Sequence, residues 1–340
     1  MSVSTAAVGA GRPNRFLSRL ATWDAAVIVV TILVLVVASG MVESFGTSQN
    51  FTFLVLDMLP IALVALPMTF IIITGEIDLS VASTLGLTSA VMGDLWDRGM
   101  TIETVIPACI VVGAVLGAVN GLFVTVLKLP ALAVTIGTLA LYRGLAFVVL
   151  GDSAVADFPS QYTSWATGTI GGGAIPNVLV PLLVLALLFG VVLHATPIGR
   201  AIYAAGAGEQ AARFSGIRVG QLKFWFYVVS GAVSGLAGVL WTLRYSSARA
   251  DNGSGLELAV VAAVLLGGVS IFGGKGTLPG VLAGVVLLAS LQNALRLSDV
   301  SNEALNIVTG VLLIVSVLLP NIVGSLQSGV QRRQHRRRAA

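Results

Sequence analysis

The sequence predicts an all-α membrane protein, a polytopic bundle of about ten transmembrane helices with N- and C-termini cytoplasmic. Three observations carry that expectation. Of 340 residues, 56% are hydrophobic and only 10% charged, with a mean hydropathy of +0.97, whereas soluble domains are roughly 25% charged. Apolar stretches of about 20 residues recur along the chain, each long enough to cross roughly 30 Å of hydrocarbon as a helix that satisfies its own backbone. The short alternating segments of a β-barrel are absent. The basic residues also segregate between the loops, as the positive-inside rule requires.

The spans are expected at about 24–40, 51–74, 79–95, 103–127, 130–150, 176–195, 223–243, 257–272, 277–294 and 304–324. The first has basic residues before it and "VASG" after it, but its core is long for a signal peptide, so it reads as uncleaved. The third is short and carries Asp94, which also fits a discontinuous or partly re-entrant element. With the N-terminus inside, the inner segments carry Arg12, Arg15, Arg19, Lys128, Arg200, Arg213, Arg218, Lys223, Lys275 and five tail arginines. The outer segments carry Arg98, Arg244, Arg249 and Arg296, and only Arg143 lies within a span. This divides the chain into a basic cytoplasmic segment 1–23, one transmembrane domain 24–324 and a basic cytoplasmic tail 325–340. The tail "QRRQHRRR" suits an anionic inner leaflet better than nucleic acid.

Two connections are long. Residues 151–175 lack basic side chains and read as an external loop at the interface. Residues 196–222 form the longest inner connection, and neither has room for a soluble catalytic domain. Within the second, "IYAAGAGEQAARFSGIRV" alternates at roughly helical spacing, with Glu209 early and Arg213 and Arg218 late, which suits a helix dipole. Such a helix fits two uses: lying on the membrane, or docking in a partner's groove, where Ala211 and Ala212 permit close approach. Gly113, Gly117 and Gly121 recur every four residues and share one helix face, as do Gly231 with Gly235 and Gly280 with Gly284. Such stripes let helix backbones approach closely.

Chemistry is sparse. "GGKGT", Gly273 to Thr277, fails as a phosphate cradle because Val269 replaces the first glycine and Gly276 follows Lys275. No nucleophile elbow or clustered reactive side chains appear, so no catalytic residue is assigned. His194, His335 and the lone Cys109 have no metal-ligand spacing, and no cofactor is implied. Intramembrane ionisable residues are default functional suspects. Asp57 and Arg143 fit either pairing across helices or interfacial placement with snorkelling. In "TGEIDLSVAS", Glu76 and Asp78 stand two apart, face different directions on any regular element, and need separate partners. Asp78 or Ser80 is positioned to cap a helix beginning near Leu79.

Four segments, "ITGEIDLSVAS" at 73–83, "NGLFVTVLKLPALAVTIGTLALYRGLA" at 120–146, "AAGAGEQAARFSGI" at 204–217 and "LLGGVSIFGGKGTLPGVLAG" at 265–284, occur in an order that resembles the ribose-type permease family of bacterial ABC sugar importers. The resemblance covers about 24–324. It implies an inner-membrane channel formed with a second permease, identical or homologous. It further implies cytoplasmic ATPase subunits on the inner loops and a periplasmic or lipid-anchored sugar-binding protein. Gly206, Ala211, Ala212, Ser215, Gly216 and Ile217 match the family's ATPase-coupling motif, Glu209 falls at a variable position, and Gly208 replaces the usual Asn. "GEIDLSVAS" most resembles rhamnose-type members, and autoinducer-2 importers are also close. Asn120, Thr135 and Thr138 are candidate path residues. The rival expectation is a gradient-driven carrier using Asp57, Glu76 or Asp78 as its ion site.

Overall fold

The computed structural model describes residues 23–318. The basic tail and the extreme N-terminal segment lie outside the described residues. Among the described residues thirteen α-helices follow one another: α1 (Trp23–Met41), α2 (Ser48–Ile73), α3 (Val81–Asp97), α4 (Ile102–Thr125), α5 (Ala131–Leu150), α6 (Ser160–Thr167), α7 (Leu179–Ala195), α8 (Pro197–Ala207), α9 (Glu209–Phe214), α10 (Val219–Tyr245), α11 (Leu256–Leu266), α12 (Leu278–Leu297) and α13 (Asn302–Leu318). Among the described residues no helix run is replaced by a strand. Two isolated antiparallel bridges, Val155 with Ala248 and Thr169 with Pro176, pin loops.

Six of these helices, α1, α2, α4, α5, α10 and α12, are long and apolar enough to cross a membrane, and α7 with α8 makes a seventh if that pair, bent by 68°, is one span. The ten expected segments therefore differ in kind. The expected span 257–272 is corrected: α11 stops at Leu266, where Gly267 caps it and Gly268 turns left-handed at φ +90. At 11 residues it rises about 16 Å, half of a bilayer core. The third segment is a 17-residue helix, almost wholly buried, which agrees with a short internal element. The loop 151–175, expected to be external, contains α6, a short helix whose Ala166 is buried.

The spine is α2. Nearly every residue from Leu54 to Ile73 is buried, including Pro60 and Pro67. A helix apolar on all sides belongs in the middle of a bundle. It packs on α10, α12, α11 and α7. By contrast α1, α5 and α7 expose large aliphatic side chains, such as Val36, Ile136 and Leu187, the surface expected to face lipid.

The most extensive helix pair is α4 with α10, and the glycine stripe explains it. A Cβ on Gly113 would collide with the Gly231 carbonyl, and one on Gly117 with the Tyr227 carbonyl. Gly231 and Gly235 meet Gly113 and Cys109 in return. The two stripes seen in the sequence are thus the two halves of one antiparallel contact. The third does the same between α12 and α11, where Gly284 and Gly280 abut Ala263 and Gly267.

Replacing Gly117 by Leu should lower stability by about 2 kcal/mol or more through overpacking. Gly137, whose missing Cβ would point into open space, should accept Ala with no loss. Thermal unfolding of both variants in detergent checks the contrast, and equal midpoints would refute this account of the stripe.

Candidate coupling surface and buried bend

The stretch that ends α2 begins the site. Thr74 closes the helix, Gly75 takes φ +84, and the Glu76 N–H reaches back to the Ile71 carbonyl. Asp78 is buried, and its Oδ1 accepts from the Ser80 backbone N–H at 3.0 Å and the Ser80 hydroxyl at 2.6 Å. The helix starts two residues later than expected, at Val81. Its Ser80 cap offers no side-chain bond to the helix, because the hydroxyl donates to Asp78. A second carboxylate oxygen of Asp78 accepts from Ser230 of α10 at 3.4 Å.

Asn120 of α4 donates to the Ser80 hydroxyl at 2.7 Å, and Tyr142 of α5 donates to the Leu116 carbonyl at 2.9 Å. Thr135 donates to the Ile77 carbonyl at 3.3 Å, while Thr138 bonds its own helix at Thr135. The three polar side chains expected along a path are therefore buried, and two of them, Asn120 and Thr135, fasten α4 and α5 to the bend.

The inner connection is a helix pair broken at Gly208. Gly206, near the end of α8, touches the Ile73 carbonyl of α2 and Gly274 of the hairpin 267–277, so no Cβ fits there. Gly208 is extended and caps α9 without a side chain, the structural result of having glycine in place of the usual Asn. Ala212 is buried against Ala205 and Val219, whereas Ala211 is exposed. Of the two alanines expected to permit close approach, only Ala211 is open to the outside, and the expectation for Ala212 is corrected: it fills the seam under α9. Ser215 bonds the Ala211 carbonyl, Gly216 turns at φ +84, and the Ile217 N–H returns to Ala212. Phe214 is 93% exposed.

One side chain joins the two regions. Lys223, in the first turn of α10 and buried, donates to Glu76 at 2.6 Å and to Glu209 at 2.8 Å. Glu209 also holds Arg213 one turn on. The Lys223 ammonium, with Arg213 beside it, holds the Glu209 carboxyl below the usual carboxylate range.

At the other end of α2, Asp57 pairs with Arg244 of α10 and, at 3.0 Å, with Arg296 of α12. Of the two alternatives for Asp57 and Arg143, the pairing of one with the other does not form. Arg143 donates to the carbonyls of Ala250 at 2.6 Å and Asn252 at 2.9 Å, pinning the loop after α10. From Lys223 to Arg244 along α10 is a rise of about 31 Å, which matches the hydrocarbon thickness of a bilayer.

The family model described as "Branched-chain amino acid transport system / permease component" matches residues 50–317. The chain belongs to this permease family. It is 35% identical over 301 residues to the ribose import permease protein RbsC of Haemophilus influenzae, covering 87% of this chain and 93% of that protein. It is 33% identical over 268 residues to the autoinducer 2 import system permease protein LsrD of Yersinia enterocolitica, covering 77% and 80%. No solved structure matches. The similarity agrees with the family expected from the four motifs, and with several apolar helices it makes this permease a multi-pass protein of the bacterial inner membrane.

Sequence reasoning missed Lys223, Arg244 and Arg296 as partners in the permease, counting them only toward topology. The available signal was their position: a charge near each end of the 27-residue apolar α10.

Lys223→Ala should destabilise the permease by about 3 kcal/mol, because it strands the partly buried Glu76 without a cation. Thermal unfolding checks this, and a midpoint equal to wild type would refute it. Because Glu209 is depressed in the folded state, its contribution is present above the ordinary carboxylate value and is lost as pH falls through the folded value. Hydrogen exchange in α9, corrected for intrinsic rate, should therefore stay constant from about pH 8 to about pH 6 and accelerate only in acid, below the usual carboxylate range. The Glu209→Gln variant should lack that acid transition.

Proposed function

We propose that the chain is the membrane-spanning subunit of an ABC importer that moves a monosaccharide inward, with ATP hydrolysed by a separate cytoplasmic subunit. The observation that carries this reading is the junction at Lys223. An exposed short helix, α9, is tied by one ammonium to the bend that joins the buried spine α2 to α3. Support comes from the relatives, which are named as permeases of ribose and autoinducer 2 import systems.

In this reading residues 197–218 dock on the ATPase through Ala211 and Phe214, with Arg213 and Arg218 adding charge at the rim. Closure of the ATPase pair displaces α9, and Lys223 passes the displacement to Glu76 and the base of α10. The energy reaches the pathway as a difference in stability between inward-open and outward-open states. A second permease, identical or homologous, completes the channel. A sugar-binding protein delivers from the side of Asp57, and lipids surround the exposed faces of α1, α5 and α7. Both termini are cytoplasmic, and the short helices α3, α11 and α13 bring the segments in the membrane to about ten. The rhamnose preference rests on the motif "GEIDLSVAS" alone, since Glu76 has Lys223 as its partner.

Of the three candidate ion sites of a gradient-driven carrier, Asp57 and Glu76 already bind cations of the chain, and Asp78 is buried with its oxygens held by Ser80 and Ser230, which weighs against that reading.

Ala211→Arg, at an exposed position, should leave the chain inserted and folded while reducing ATP-driven sugar uptake at least tenfold in proteoliposomes holding ATPase and binding protein. Unchanged uptake, or active uptake by the permease alone under an imposed proton or sodium gradient, would sink the assignment.

A further inference from the structure

At the end of the bundle opposite α9, a recess of about 480 Å³ opens between α2, α10, α11, α12 and α13. Its size lies within the range of small-molecule sites, roughly 300–1,000 Å³. Three helices each bring an i, i+4 pair to its wall, and such pairs share a helix face. They are Trp241 with Tyr245, Gln292 with Arg296, and Asn302 with Asn306.

The pairs differ in chemistry. The Trp241 and Tyr245 rings stand tilted at 48° with centroids 5.2 Å apart; the Arg244 guanidinium lies over the Tyr245 ring at 4.8 Å, so Trp241 is the apolar face of the pair. Asn302 and Asn306 are exposed and have no side-chain hydrogen-bond partner among the described residues. Gln292 gives its amide N–H to Thr309 at 2.9 Å, and its carbonyl oxygen has no donor among the described residues. Arg296 is half exposed and touches Asp57 with one nitrogen, leaving other N–H groups to donate. The floor is apolar, from Pro60, Ile61 and Ala259.

We infer that this recess is the site at which the permease receives its sugar, with Trp241 as the stacking platform and Asn302, Asn306 and Arg296 as the hydroxyl partners. The inference rests on the importer reading above and deepens it by locating the substrate. A sugar ring has a C–H face that suits an aromatic ring and hydroxyls that both donate and accept, as amides do. A zwitterionic amino acid would need a carboxylate for its ammonium group. The carboxylate at the wall is Asp57, and its two oxygens are already held separately by Arg244 and Arg296. A lone cation fails for the same reason. The unpartnered amides also argue against a lipid-filled groove, since polar side chains facing hydrocarbon are expensive.

The test uses the complete importer in proteoliposomes and a panel of labelled D-ribose, L-rhamnose, D-xylose and D-galactose, with L-leucine as the amino-acid control. If wild type takes up none of the sugars, the importer reading itself fails. Given uptake of one, Trp241→Ala and Asn306→Ala should each reduce it at least tenfold. Trp241→Phe, which keeps an aromatic face, should retain most of it. Saturation-transfer NMR on the full permease in nanodiscs should show that sugar contacting wild type and losing contact in Trp241→Ala, with thermal midpoints unchanged. Wild-type uptake in both alanine variants, or leucine displacing the sugar, overturns the placement while leaving the importer reading intact.

Discussion

Two antiparallel helices, α2 and α10, are clamped by ion pairs at both ends, and the rest of the bundle is arranged around that clamp. Asp57 near the start of α2 meets Arg244 near the end of α10, and Glu76 just beyond α2 meets Lys223 at the start of α10. Between the clamps the two helices are apolar, and each pair sits at a helix end, where the carboxylates Glu76 and Asp57 keep part of their surface exposed although Lys223 is buried. That placement avoids the large penalty of fully burying an ion pair. It also fixes the register of α2 against α10, since slipping by one turn would break both ends together.

The glycine stripe then determines what else α10 can touch. With no side chains between them, α4 and α10 make a contact closer than any leucine-lined face permits. This brings Asn120 of α4 and Ser230 of α10 to the same buried bend, where Asp78 and Ser80 bind both. A buried carboxylate thereby accepts from the Ser80 backbone N–H and hydroxyl and from the Ser230 hydroxyl, while the Asn120 amide holds Ser80 in place. The bend is a fastening point for α3, α4 and α10, and its polarity serves the break in the chain.

Some of this was legible in the sequence because the signals are local. Long apolar runs, a four-residue glycine period and a polar break after "TFIIIT" each have one physical interpretation that needs no partner. What was not legible depends on contacts across the chain. Lys223 lies 147 residues from Glu76, and as one base among several beside an inner loop it looked like a topology marker. Ala212 matched a docking motif, but which of two adjacent alanines faces outward depends on how α9 lies against Ala205 and Val219. The span expected at 257–272 failed because hydropathy alone continues through "LLGGVSIF", whereas the paired glycines end the helix at Leu266. The wall of the recess escaped notice because its pairs come from three helices spread between Trp241 and Asn306, each unremarkable alone.

The junction at Lys223 has an electrostatic consequence. It contains two carboxylates and two cations, and it divides at the seam between α9 and α10 into Glu209 with Arg213 on one side and Glu76 with Lys223 on the other. Each half sums to zero. If α9 withdraws from α10, neither fragment is left with an uncompensated charge facing the hydrocarbon boundary, and only the 2.8 Å bond between Lys223 and Glu209 is exchanged for water. Motion at this seam therefore transfers no net charge between environments, and its energy should depend little on the membrane voltage.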